Sequence, residues 1–184
     1  VGYTVGTFGH LAPVFVDRNH RYSDHSVQAT AGPPHFRIPA YLVGAEYIMS
    51  GNDNRDNANY RLDVTVASPS TVYMLIDNRM SASTDASDNA DPPTFDATHM
   101  QWIVDQGWVA TNGGLNRTGN TAVPDEVPLD EGANNTIEQW YSVYRRDVPA
   151  GTFSLLQADN AGQNMYGVVV VACRVPFAKV PEPA

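Results

Sequence analysis

The stretch from Tyr41 to Met80 most constrains what this chain can fold into. It holds three strand-like runs, Tyr41 to Met49, Tyr60 to Ala67 and Thr71 to Ile76, separated by a polar turn and a Ser-Pro turn. In the second run Tyr60, Leu62, Val64 and Val66 alternate with Arg61, Asp63 and Thr65. A period of two buries one face of a strand and leaves the other wet. The third run is nearly continuous and apolar, which fits a central strand covered on both sides. Together the three predict an antiparallel meander against which the rest of the chain packs.

The remaining sequence extends this pattern. Residues 1 to 16 are apolar at Val1, Tyr3, Val5, Leu11, Pro13 and Phe15 but interrupted by Gly2, Gly6 and Gly9. A polar stretch and the breaker Gly32-Pro33-Pro34 follow. This segment has two readings: an ordinary first strand of the sheet, or an arm that adds to a neighbouring subunit's sheet through unpaired backbone groups at an edge. Further along, Thr94 or Asp96 is a candidate cap for a short helix carrying Met100, Ile103 and Val104, with Gly107 as its stop. A short strand is expected at Trp108 to Ala110, further strands at Thr136 to Arg146 and Thr152 to Leu156, a long apolar closing strand at Met165 to Val175, and loops at 81–98 and 111–135. The whole predicts an all-β, antiparallel β-sandwich of jelly-roll type, with one short helix and an extended N-terminal arm. The expected divisions are arm and linker over 1–34, sandwich over 35–178 and a tail over 179–184.

Charge narrows the partners. The net charge is -9 and Lys179 is the only lysine, a balance that disfavours nucleic acid and anionic lipid. Cys173 is the only cysteine, so no intrachain disulfide framework is expected. No run reaches the roughly 18 apolar residues of a membrane span. The chain begins with Val1 rather than Met, which fits removal of an export leader or a fragment.

Candidate sites are few. The turn holding Asp53, Asn54 and Asp56 is oxygen-rich and is a candidate Ca²⁺ site, although Arg55 intrudes and no Glu closes an EF-hand loop. The same residues favour turns for backbone reasons alone. Asn116 and Asn134 open N-x-[ST] sequons in expected loops, and the Ser81, Ser83 and Thr84 cluster offers hydroxyls for O-linked sugar. Asp125, Glu126, Asp130 and Glu131 are carboxylates that a glycosidase would need across a cleft. Trp102, Trp108, Trp140, Tyr141 and Tyr144 are core residues or sugar-stacking platforms, and at least one of Trp140 and Tyr141 is expected to be exposed. Asp17, His20, Asp24 and His25, like Asp96 with His99, match no metal motif. Nucleophile-elbow, phosphate-loop and H-E-x-x-H patterns are absent.

The final residues, Lys179-Val180-Pro181-Glu182-Pro183-Ala184, resemble the start of the PEP-CTERM sorting signal of exported bacterial proteins, with Val180, Pro181, Glu182 and Pro183 carrying the match. The segments Tyr41 to Ile48, Asn52-Asp53, Tyr73 to Arg79, Val148 to Phe153 and Met165 to Gly167 are similar to a β-sandwich domain of exported proteins, some of which end in this signal. The resemblance implies secretion, exosortase-type processing and a place in an extracellular matrix.

The leading functional expectation is a non-enzymatic structural subunit of a surface filament or matrix, secreted or held at a bacterial surface. It polymerises with copies of itself by N-terminal strand addition, with Val1, Tyr3, Val5, Phe8, Leu11 and Phe15 at the interface. The alternative is a carbohydrate-binding module, with Ca²⁺ as a possible cofactor and extracellular polysaccharide as partner. A polysaccharide-active enzyme ranks third.

Overall fold

A computed structural model of the chain describes residues 3–24, 37–80, 91–132, 134, 136–158 and 163–173. Among these residues ten strands and one short α-helix follow in order. They are β1 (Tyr3–Thr7), β2 (Arg21–Tyr22), β3 (Glu46–Ser50), β4 (Leu62–Val66), β5 (Ser70–Asp77), α1 (Gln101–Asp105), β6 (Val109–Ala110), β7 (Glu126–Asp130), β8 (Gln139–Val148), β9 (Gly151–Leu155) and β10 (Gly167–Ala172). The fold is all-β and sandwich-like, with every strand pair antiparallel. Eight strands form one sheet in the order β1-β3-β10-β5-β8-β7-β2, with β6 also on β8, and β4 and β9 form a separate two-stranded sheet.

The expected strands of the 41–80 stretch form, but the expected meander does not. β3, β4 and β5 do not pair with one another. β10 lies between β3 and β5, with Val168 facing Ile48 on one side and Met74 on the other. Its run Val168-Val169-Val170-Val171 is β-branched throughout, which suits a strand; Val168 and Val169 are buried on opposite faces, and Val170 and Val171 are half-buried. β4 keeps the predicted alternation, with Leu62, Val64 and Val66 buried and Asp63 and Thr65 exposed, but it spends that alternation on the small sheet with β9. Tyr41 to Gly44 is a turn rather than a strand, and Gly44 at φ +81 provides a left-handed position.

The two faces of the large sheet bury different things. On one face Tyr47 meets Phe8 and Tyr22 edge-on, at centroid distances of 5.7 and 6.1 Å. On the other, Trp102 and Tyr60 pack edge-on against Tyr166. The helix is as short as expected, and Gly107 at φ +75 ends it. Its cap differs: Met100 occupies the cap position in a left-handed conformation, while Asp96 bonds the Thr98 backbone N–H and hydroxyl instead. Indole Nε1 of Trp102 donates to the Gln157 carbonyl at 2.9 Å, and Gln106 donates to Ser154 of β9, tying α1 to the small sheet.

Over its described residues the N-terminal segment is part of this same sheet, as the first of its two expected readings has it. β1 pairs with β3 in register from Tyr3↔Ser50 to Thr7↔Glu46. The chain then turns into a hairpin, with Tyr22 donating its N–H to Ala12 and Leu11 donating to Tyr22, and β2 pairs with β7. Phe8, Val14, Phe15 and Tyr22 are all core residues.

Candidate functional site

The residues expected at a subunit interface separate into two groups. Phe8 and Phe15 are buried in their own chain's core, so they anchor the N-terminal segment rather than offer themselves to a neighbour. Tyr3 and Val5 are 62% and 57% exposed, and no residue of β1 is buried. Leu11 is exposed at a turn with φ 63, and Val1 lies outside the described residues. β1 is therefore an edge strand held by its backbone ladder to β3, with Gly6 lying against the Tyr47 ring.

Beside β1 runs a groove of about 440 Å³. Tyr3 and Val5 form one wall, Ile48, Val170 and Ala172 the floor, and β4 from Leu62 to Val66 the other wall. Glu46, Asp63, Ser68 and Ser70 supply polar groups around it. β4 pairs with β9 on one side and, among the described residues, with no strand on the other. The small sheet thus ends in an open edge directly over exposed apolar surface of the large one. Strand alternation at β4 was readable from the sequence, but its unpaired side and the groove residues of β3 and β10 were not.

The other candidates are placed as follows. The 52–56 segment is a 3₁₀ turn organised from within the protein. Asp17 accepts the Asn52 and Asp53 backbone N–H groups at 2.7 and 3.1 Å, Asp53 is ion-paired with Arg18, and Asp56 lies beside Arg55. Burial pushes the Asp17 carboxyl up, but those two N–H groups and Arg18 outweigh it and hold it below its usual value. Asn54 is buried while Asp53 and Asp56 are exposed, and both carboxylates already have an arginine beside them. Among the described residues, no three His, Cys, Asp or Glu side chains converge to hold a metal ion.

Asn116 is 1% exposed, and its Nδ2 donates to the Asn120 and Pro124 carbonyls at 2.7 and 3.1 Å. The folded chain therefore does not present that nitrogen for glycosylation. Asn134 is exposed, with its Oδ1 accepting from the Thr136 N–H and hydroxyl. Ser81, Ser83, Thr84, His25 and residues 179–184 lie outside the described residues.

Three of the four loop carboxylates are buried acceptors. Asp125 takes the Gly113 and Leu115 N–H groups at 2.9 and 2.8 Å and the Tyr41 hydroxyl at 2.8 Å. Glu126 takes Arg117 and Asn78 at 3.0 and 2.7 Å. Asp130 Oδ1 takes the Gly132 and Asn134 N–H groups. Only Glu131 is partly open, 3.6 Å from His20 and 3.9 Å from Arg79. Asp96 is exposed, and its bonds to Thr98 and then His99 hold its carboxyl down at about 2. Trp102, Trp108, Trp140, Tyr141 and Tyr144 are all buried, so the expectation that Trp140 or Tyr141 is exposed fails. β8 is flanked by β5 and β7 and covered on both faces there, so alternation does not lead to solvent.

One polar assembly has no signature in the sequence pattern, because its members are brought together only by the fold. Asp77 is fully buried, and the Arg79 guanidinium meets it at 3.0 and 2.6 Å. Asn78 bridges Ser142 and Glu126, and Asn164 joins Gln139 to Asn52. A buried charge is tolerated only when paired and hydrogen-bonded, and this network meets that condition for Asp77.

No family model matches the chain, and no curated protein matches it. Among solved structures the chain is similar to a β-glucuronidase from glycoside hydrolase family 2. The TM-score is 0.55 at 15% identity, over 94% of this chain and 14% of that one. It is also similar to a GH138 enzyme targeting pectin rhamnogalacturonan II. There the TM-score is 0.50 at 9% identity, over 95% of this chain and 16% of that one. At such identities the likeness shows a shared β-rich fold, and the chain spans only a small part of either enzyme's length.

Proposed function

We propose that this chain is a non-enzymatic structural subunit of an extracellular filament or matrix, exported and joined copy to copy through its N-terminal strand. The observation that carries the reading is β1: a strand whose five residues all lie outside the core, at the edge of the sheet. Moving such a strand to a neighbour costs one backbone ladder and little apolar burial. A strand given by one copy and taken by the next makes a heterologous contact, which propagates rather than closes. The resemblance of residues 179–184 to an export signal supports the address. The test is electron microscopy and light scattering of the full chain against a chain lacking residues 1–7. Fibres from the first and monomers from the second are expected; fibres from the truncated chain, or a full chain that stays monomeric at high concentration, overturn the reading.

A carbohydrate-binding module is the second reading. It is favoured by the likeness to β-rich stretches of two glycan-degrading enzymes and by the exposed Tyr3 ring beside Glu46 and Asp63 in the groove. A glycan array with and without chelator tests it, and no binding under either condition removes it.

A further inference from the structure

We infer that the receiving site for the N-terminal strand is the groove along β4, and that its occupant is residues 3–7 of a second copy, added as a third strand to the small sheet. The inference rests on the strand-addition reading and assigns its acceptor.

Three observations lead to β4. Its outer edge has no strand partner among the described residues, so among them no backbone ladder occupies that side. Its length, Leu62–Val66, equals that of β1, Tyr3–Thr7, so one strand registers fully on the other. Its position puts an added strand over Ile48 and Val170, which now form the groove floor. The small sheet has two strands over a large sheet of eight, and a third strand at this edge extends the layer where the large sheet is uncovered.

The same geometry selects the occupant. A strand entering here needs alternate apolar side chains toward the floor and small or polar ones outward. In β1, Tyr3 and Val5 supply the first kind and Thr4 and Gly6 the second. Glu46 and Asp63 both stand exposed at the rim; Asp63 is paired with Arg61 at 2.8 Å, so the acidic character of the rim comes from Glu46. On a chain of net charge -9 most segments carry carboxylates that this rim repels, whereas residues 1–8 carry no charged side chain. Phe8, the first core residue, then fixes how far the strand reaches from its own body. In the assembled state a copy's own Tyr3 and Val5 leave the groove wall for the next copy, and the incoming pair covers the floor in their place.

Disulfide trapping in the full chain tests this, with exposed Cys173 first replaced by serine. One variant carries Thr4→Cys with Thr65→Cys, which places a thiol on each proposed partner. A second carries Thr4→Cys with Met49→Cys, which are paired in register within one chain. Oxidation of mass-tagged mixtures separates bonds between copies from bonds within one. The expected result is an intermolecular ladder from the Thr4–Thr65 pair, lost when residues 1–7 supplied as free peptide compete. An intermolecular ladder from the Thr4–Met49 pair alone overturns the β4 acceptor but keeps strand addition, because it shows β1 exchanged onto β3. No intermolecular bond from either pair, with monomers by light scattering, overturns both. Slowed hydrogen exchange of β4 amides on adding a glycan, without assembly, assigns the groove to carbohydrate and also overturns the proposal.

Discussion

At the scale of single residues the interior leaves little slack around Tyr22. A Cβ on Gly167 would lie 2.5 Å from the Tyr22 hydroxyl and 3.4 Å from Leu75, in the middle of the core. Gly167→Ala should therefore cost about 1–3 kcal/mol as overpacking. The Tyr22 hydroxyl is buried with no hydrogen-bond partner among the described residues, and burial raises its pKa strongly. Tyr22→Phe should be close to neutral alone and should recover most of the Gly167→Ala loss, which thermal melts of the four-member cycle would read. Asp125→Ala should be worse than a typical loop substitution, by about 1–3 kcal/mol in all, because it removes the buried acceptor that holds the Gly113 and Leu115 N–H groups, while the Tyr41 hydroxyl keeps Thr111 at 3.1 Å. His20 sets an acid-side limit. Burial lowers its pKa below 6.5, opposed by Glu131 and aided by Arg18 and Arg79. The unfolded chain then binds the proton more readily than the folded one. This contribution to stability is complete above the unfolded value and declines as pH falls below it. The melting temperature should drop between pH 7 and pH 5 in the parent and drop less in His20→Gln.

At the scale of elements, the N-terminal segment divides at Phe8. Removing residues 1–7 takes away one exposed edge strand, whereas removing 1–16 also deletes Phe8, Val14 and Phe15 from the core. The shorter deletion should keep a cooperative melt, and the longer should abolish it, as circular dichroism would show. Sequence pattern located most strands because their periodicity is local. β4 and β5 fall within a residue or two of the Tyr60 to Ala67 and Thr71 to Ile76 runs. β7 was missed inside an expected loop, since Glu126-Val127-Pro128-Leu129-Asp130 reads as turn material. It is a strand because β2 and β8 flank it, and Glu126 and Asp130 find buried donors that only the folded chain brings near. Proline is accepted there with its carbonyl taking the Ser23 N–H. The candidate site divides likewise. An apolar, glycine-interrupted first strand was legible, while the open edge of β4 depends on which strands pair, a non-local fact that alternation does not encode.

At the scale of the molecule, electrostatics and topology limit what the chain does. Net charge -9 keeps copies apart by long-range repulsion. Assembly through an uncharged strand should therefore strengthen with salt up to the point where screening is complete, the reverse of a contact made by ion pairs. Light scattering across a salt series would check the sign. The placement of β10 has a consequence for when the large sheet can close. β10 is the last of the described strands in sequence yet central in the large sheet, between β3 and β5. Until residues 167–172 have been made and delivered, β3 and β5 have no common partner and the two halves of the sheet cannot join. Such long-range closure is slow. A polypeptide delivered from its N-terminal side would hold this sheet open until residues 167–172 arrived, and only then would its two halves meet.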